Sequence, residues 1–297
     1  MTESFPFIDV TGLPVIGEGY HSIIYHLGNG KIVKVYRDPD VLNDIRRERK
    51  NSEIACRLGI PTDRPYSIVR AGSLYGLVFH ELNAPSAAAV LKEHPERFDE
   101  VVRLSVDLLK TIHIKESRKN ELSDIRERMA GIVLFLKPYL PGDAHEKLSR
   151  LFDEVPYSRH LIHGDFHVKN ILIENGRAMV VDMDTLSTGH PVFEFSSMHK
   201  AYIGYSEEDP DSVERFLGLD SGTAVRFFES SLRLYLGSPN EDAFRDVYDK
   251  IRLLSYARIL RSWVLEPELG DREKARCIEK SRAKLIALLQ KKDSVLF

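Results

Sequence analysis

Between residues 13 and 36, short apolar runs break at Gly17-Glu18-Gly19 and again at Gly28-Asn29-Gly30, which predicts three short strands. Asp38-Pro39 then has the form of a helix start, with Asp as N-cap and Pro at the first helical position. The helix predicted over 39–58 is closed by Gly59 and Pro61. At a turn of ~100° per residue, Val41, Ile45, Ser52 and Ala55 form one stripe along it, with Glu48 inside the stripe and Glu53 at its margin. Two more strands are expected at 67–71 and 74–82, joined at Gly72-Ser73. Beyond Asn83 the pattern turns helical, near 97–113, 120–137, 143–153, 191–204, 211–217, 222–236, 240–265 and 271–291. One exception stands out, because ILI and AMVV flank Asn175-Gly176, the strongest short-range hairpin signal. A β-rich first quarter followed by a helical remainder predicts an α+β fold of two lobes, 1–83 and 84–297, hinged at Asn83-Ala84-Pro85.

Composition narrows the class of protein. The 297 residues are 43% hydrophobic and 29% charged, ordinary values for a soluble enzyme. A net charge of -3 gives no reason to expect nucleic acid or an anionic membrane as partner. The two cysteines, Cys56 and Cys277, fall in predicted helices without metal-site spacing, which fits a reducing cytoplasm. MTESFPFIDV lacks the features of a signal peptide, and no apolar run approaches the ~20 residues of a membrane helix. Oligomeric state has no signature in the chain.

The chemistry concentrates in LIHGDFHVKNILIENGRAMVVDMD, residues 161–184. Folding the hairpin on Asn175-Gly176 brings paired positions to within ~5 Å, so Asn170 and Asp182 enter one neighbourhood with Asp165 just upstream. Oxygen donors converging at strand ends suit a magnesium ion (Mg2+) that also holds phosphates, while a carboxylate left free of the metal can act on a hydroxyl. His163, Asp165 and His167 also have an H-x-D-x-H spacing that invites a metallohydrolase reading, but no distant histidine pair completes a dinuclear site. Lys34 shares a strand face with Ile32 and Tyr36, and a carboxylate such as Glu48 on a core-facing stripe is costly to bury unless paired.

HGD-x-x-x-x-N at 163–170 followed by V-V-D at 180–182 resembles the aminoglycoside phosphotransferase and choline kinase branch of the protein-kinase-like fold. Gly164 stands where protein kinases have Arg, and Met183-Asp184 replaces their Phe-Gly. The resemblance covers about 14 to 200. It implies a bilobal ATP- and magnesium-dependent enzyme that moves the γ-phosphate to a hydroxyl of a small molecule. Within it, Gly17, Gly19 and Ser22 belong to a flap over the nucleotide phosphates. Lys34 contacts the α- and β-phosphates and is oriented by Glu48, with Glu53 as the reserve. Glu81 and Leu82 offer backbone groups to adenine, and His80 lies near the adenine pocket. Asp165 is the base, or the group that orients the acceptor hydroxyl, while Asn170 and Asp182 hold the metal. His163 fixes the loop, Asp184 contacts the metal through water or caps a turn, and His113 is structural. Glu194 stands in place of the Asp that anchors the loop in relatives.

The acceptor is not encoded in these motifs. An acidic stretch at 206–211 and the aromatic residues Tyr202, Tyr205, Phe216, Phe227, Phe228 and Tyr235 are compatible with a cationic acceptor. They are equally compatible with a solvated loop and a packed core. A small atypical protein kinase and a nucleotide-binding regulator without turnover are the alternatives.

Overall fold

The computed structural model describes residues 4–19, 21–267 and 269–297. They divide into two compact units, one formed by 1–85 with 172–186 and the other by 86–171 with 187–297. A single division at 83/84 therefore does not hold. The chain returns to the first unit after Ile171, because Val180 N–H donates to the Pro61 carbonyl at 2.9 Å and Asn51 ties down the turn after Asp182.

The first unit is built on five antiparallel strands, β1 (Val15–Glu18), β2 (Ser22–Gly28), β3 (Lys31–Tyr36), β4 (Pro65–Ala71) and β5 (Leu74–His80), in the order β1-β2-β3-β5-β4. Alternation on β3 splits its side chains between two cores. Val33 and Val35 pack with Val69, Ala71 and Val78, whereas Tyr36 packs with Ile68, Leu77, Phe79 and Ile45 of the helix α1 (Leu42–Arg57). The α1 helix starts three residues later than 39–58 implies. Asp38 spends its carboxylate on the Asp40 N–H at 2.8 Å, so Asp38-Pro39 makes a turn instead of a cap. Its end is as expected, with Gly59 left-handed at φ +75°. The hairpin of Ile171–Glu174 and Arg177–Val180 turns on Asn175 and Gly176, both at positive φ (50° and 71°).

The second unit is helical. In chain order it holds α2 (Ala87–Glu93), α3 (Phe98–His113), α4 (Ile125–Phe135), α5 (Gly142–Asp153), α6 (Pro191–His199), α7 (Ser212–Leu217), α8 (Ser221–Tyr235), α9 (Glu241–Leu265) and α10 (Asp271–Lys291). Two-residue strands, Leu161–Ile162 and Ser187–Thr188, pair antiparallel within it. Its core includes the fully buried Ile112, Met129, Phe193, Phe195, Phe227 and Phe228. α2 has no counterpart in the sequence reading, and α4 begins at its Asp124 cap, not at 120. A single π-helical turn, Lys200–Gly204, extends α6. No helix among the described residues is long and apolar enough to cross a membrane.

Candidate active site

The strand face and the helix stripe of the first unit each carry one charge inward, and the two meet. Lys34 Nζ lies 2.9 Å from Glu48 Oε1 and 2.8 Å from Asp182 Oδ1. Lys34 is 13% exposed and Glu48 only 2%, whereas Asp182 is 37% exposed. The Tyr36 hydroxyl donates to the second oxygen of Glu48. Burial alone would push Lys34 down, but Glu48 and Asp182 overcome it and hold its pKa above the usual lysine range. Burial pushes Glu48 up, against the opposing pull of Lys34 and Tyr36. Glu53 is solvent-exposed and pairs with Arg49 at 3.0 Å, which leaves Glu48 as the partner of Lys34.

Asp182 adopts the left-handed conformation at φ +68°, which Asp tolerates better than most residues. Asn51 holds the turn that follows, its Nδ2 donating to the carbonyls of Met183, Asp184 and Leu186 at 3.0, 3.3 and 3.3 Å. The sequence reading passed over Asn51, although it lies one turn beyond Glu48 on the buried side of α1. Asp63 is buried in the same unit. Burial raises its carboxyl to about 7, against the hydrogen bond from Thr62 Oγ1 at 3.1 Å.

In the Gly-rich segment, Gly19 N–H donates to the Ser22 carbonyl at 2.9 Å, and Ser22 is buried. Gly17 matters for space, since a Cβ there would stand 3.2 Å from Ile24 Cδ1. Tyr20, within this segment of the sequence, lies outside the described residues. The Glu81 carboxylate meets His26 Nε2 at 3.1 Å, and its N–H donates to the Gly30 carbonyl at 2.9 Å. That amide is therefore committed to the protein. Leu82, next in the chain, is half-buried.

The loop of the second unit is hung on Glu194, which is fully buried on α6. Its carboxylate accepts the N–H groups of both His163 and Gly164, the latter at 2.9 Å, with His113 Nε2 3.6 Å away. Burial pushes Glu194 up, but His113, His163 and these donors hold it below the usual range. Glutamate thus supplies the anchor at the position where the sequence departs from Asp. Gly164 sits at φ +86°, and its carbonyl accepts the Ser197 hydroxyl at 2.9 Å. A side chain there would carry left-handed strain, which gives a local reason for glycine at this position.

His163 Nδ1 accepts the Asp165 N–H at 3.3 Å, so it serves the loop backbone. The Asp165 carboxylate is 42% exposed and lies 3.4 Å from His167 Nε2. Burial pushes Asp165 up, but His167, with His163 and Lys200 beyond it, prevails and brings its pKa down to about 2. A carboxylate of that acidity is a weak proton acceptor and a good hydrogen-bond acceptor, which suits orientation of a hydroxyl. Asn170 donates its Nδ2 to the Asp165 carbonyl at 3.1 Å, which leaves the amide oxygen as a donor for a cation. Three of the four acids in the stretch at 206–211 are spent on partners elsewhere in the second unit. Glu207 meets Lys284 and the Tyr256 hydroxyl, Glu208 meets Lys280 and Lys284, and Asp209 meets Arg215. Of the aromatic residues, Tyr202, Phe227 and Phe228 are core, while Phe216 is 45% exposed with its ring 5.0 Å from that of His167.

The family model described as the phosphotransferase enzyme family (APH) matches residues 12–228. No curated protein matches the sequence. Solved structures share the fold at low identity. ADP-bound aminoglycoside phosphotransferase APH(2'')-Ib has a TM-score of 0.62 and 16% identity over 93% of this chain and 94% of its own. A thermostable mutant of APH(4)-Ia with AMP-PNP and hygromycin B has a TM-score of 0.60 and 14% identity over 94% and 93%. The gentamicin complex of APH(2'')-IIa has a TM-score of 0.58 and 16% identity over 97% and 94%. The fold is therefore the protein-kinase-like α+β fold of those enzymes.

Proposed function

Because the chain belongs to the phosphotransferase enzyme family, we propose that it transfers the γ-phosphate of ATP to a hydroxyl of a small molecule, with magnesium as cofactor. The observation that supports this best is the buried Lys34 ammonium, fixed between Glu48 and Asp182 at 2.9 and 2.8 Å. A lysine held charged in this way is ready to meet phosphate oxygens without reorganising. Glu48 and Tyr36 position it, and Gly17, Gly19 and Ser22 form the flap. The Glu81 carbonyl and the Leu82 backbone serve adenine. Asp165 orients the acceptor hydroxyl, and its low pKa keeps it ionised for that task.

Asn170 offers a neutral oxygen and Asp182 an anionic one partly open to solvent, each of the kind a hard cation takes. Magnesium held by oxygens of this kind would neutralise charge on the transferred phosphate and supply Lewis acidity.

The test is ADP release by the full chain over a panel of hydroxyl compounds, with and without EDTA. Acceptor-dependent, EDTA-sensitive ADP formation is expected. ATP binding without any acceptor-dependent ADP would leave the regulator reading in its place. Transfer to proteins alone would favour the protein-kinase reading.

A further inference from the structure

Arg258 of α9 is only 7% exposed, yet no carboxylate lies within ion-pair distance of it among the described residues. Its Nη1 finds a hydroxyl, Ser196 Oγ at 3.4 Å, and a thioether, Met129 Sδ at 3.6 Å. Neither offsets the cost of removing a guanidinium charge from water. Burial and the like charge of Arg128 lower it to about 10, which still leaves it charged at neutral pH. A buried cation with no anion paired to it is what a site for an anionic ligand looks like before the ligand arrives.

Its place in the second unit says where that ligand would sit. The residue after Ser196 is Ser197, whose hydroxyl donates to the Gly164 carbonyl, so Arg258 stands one helix residue from the loop that carries Asp165. Of the carboxylates, Glu194 acts most on the Arg258 charge and Asp165 next, neither as an ion-pair partner. A second cation faces the same loop. Lys200 opens the π-helical turn, and that turn is tied to the loop by the Val168 N–H donating to the Tyr202 hydroxyl at 2.9 Å. Lys200 Nζ lies over the Tyr205 ring at 5.2 Å, and its charge acts on Asp165. It has no carboxylate partner among the described residues. Turns of this kind recur at functional sites.

The acids that could balance these cations are already taken. Glu194 is filled by two N–H groups and His113, and Glu207, Glu208 and Asp209 by Lys280, Lys284 and Arg215. A polycation such as an aminoglycoside would meet two positive charges that lack an ion-pair partner among the described residues.

We infer that the acceptor, in the phosphotransfer reaction proposed above, is an anionic hydroxyl compound whose carboxylate or phosphate group is bound by Arg258 and Lys200 beside Asp165. The inference rests on that reading for the word acceptor. The anion site itself stands on the second unit alone.

The test uses four probes on one carbon skeleton: glycerate, glycerol 3-phosphate, glycerol and 3-aminopropane-1,2-diol. Calorimetry with the full chain should show at least one of the anions binding more than about ten-fold tighter than the neutral and cationic compounds, as a charge-assisted contact implies. Which anion leads decides between carboxylate and phosphate. Arg258→Gln should lose about ten- to a hundred-fold of that affinity, and Arg258→Lys should restore part of it. Should Arg258→Gln fold poorly, Lys200→Gln carries the test, with a several-fold loss expected. Equal or tighter binding of the aminodiol would overturn the inference, as would unchanged anion affinity in the folded variants. ADP formed only with cationic acceptors would keep the reaction and remove the anion site. Arg258-dependent anion binding with no ADP from any probe would support the anion site and count against the phosphotransferase reading.

Discussion

Replacing Lys34 by Met removes the ammonium from the buried charge cluster and keeps an unbranched side chain of similar length. Glu48, 2% exposed, would retain the Tyr36 hydroxyl but lose Lys34. Breaking a buried pair from one side costs about 3–5 kcal/mol. Asp182 adds less than about 1 kcal/mol, because at 37% exposure water takes over its solvation. A loss near the lower end, about 3 kcal/mol at pH 8, is expected. Glu48 can escape the penalty by taking up a proton, since burial already pushes it up from 4.5 and Lys34 would no longer oppose that. A carboxyl whose folded pKa is raised carries no cost below its unfolded pKa, and its cost grows by about 1.4 kcal/mol per pH unit up to the folded value. The loss should therefore shrink to about 1 kcal/mol at pH 5. Hydrogen exchange of peptides covering 31–36 and 42–57 reads this locally, with 241–265 in the second unit as an internal control. Adding Glu48→Gln should recover at least half of the loss at pH 8. A loss under about 1 kcal/mol at both pH values, or a double variant as unstable as the sum of the singles, would refute the reasoning.

Three further outcomes are expected. Asp63, raised to about 7, holds a proton in the folded chain but not in the unfolded one between pH 3.8 and 7, so it lowers stability by up to about 4 kcal/mol as pH rises through that window. Urea midpoints at pH 4, 5.5 and 8 should show Asp63→Asn without that slope, and a slope equal to wild type would contradict the assignment. Asp182→Asn should lose magnesium-dependent ATP affinity in calorimetry, and wild-type binding would remove it from the metal site. Gly164→Ala should destabilise by about 1–2 kcal/mol through left-handed strain, and a neutral effect in urea unfolding would show that the loop relaxes.

Much of this was legible because the deciding interactions are local or periodic. Asn175-Gly176 needs positive φ at both residues and has it, so the hairpin could be read from two letters. The stripe on α1 separates Glu48 from Glu53, five residues apart, because one falls on the buried face and the other in water. Failures came where a competing contact decided. Asp38 caps Asp40 in a turn and so cannot start the helix. The α2 segment, seven residues long and opening with three alanines, shows no apolar period, and only Ser86 before it signals a cap. The acidic stretch at 206–211 could not be judged from sequence, since its lysine partners are 72 to 77 residues away on α10. Arg258 was invisible for the same reason, being one basic residue among many until its lack of an anion is seen.

The central claim is phosphoryl transfer with Asp165 positioning the acceptor, and single-turnover transfer from MgATP tests it most directly. The measurement follows phosphomonoester formation by phosphorus NMR for wild type and Asp165→Asn, alongside MgATP titration of both. Wild type should form the phosphomonoester. Asp165→Asn should bind MgATP within about two-fold of wild type while transferring about 10²–10⁴ more slowly, the loss of a positioned acid–base group. Equal transfer by both proteins would contradict the role of Asp165, and no phosphomonoester from wild type with any acceptor would contradict the account itself.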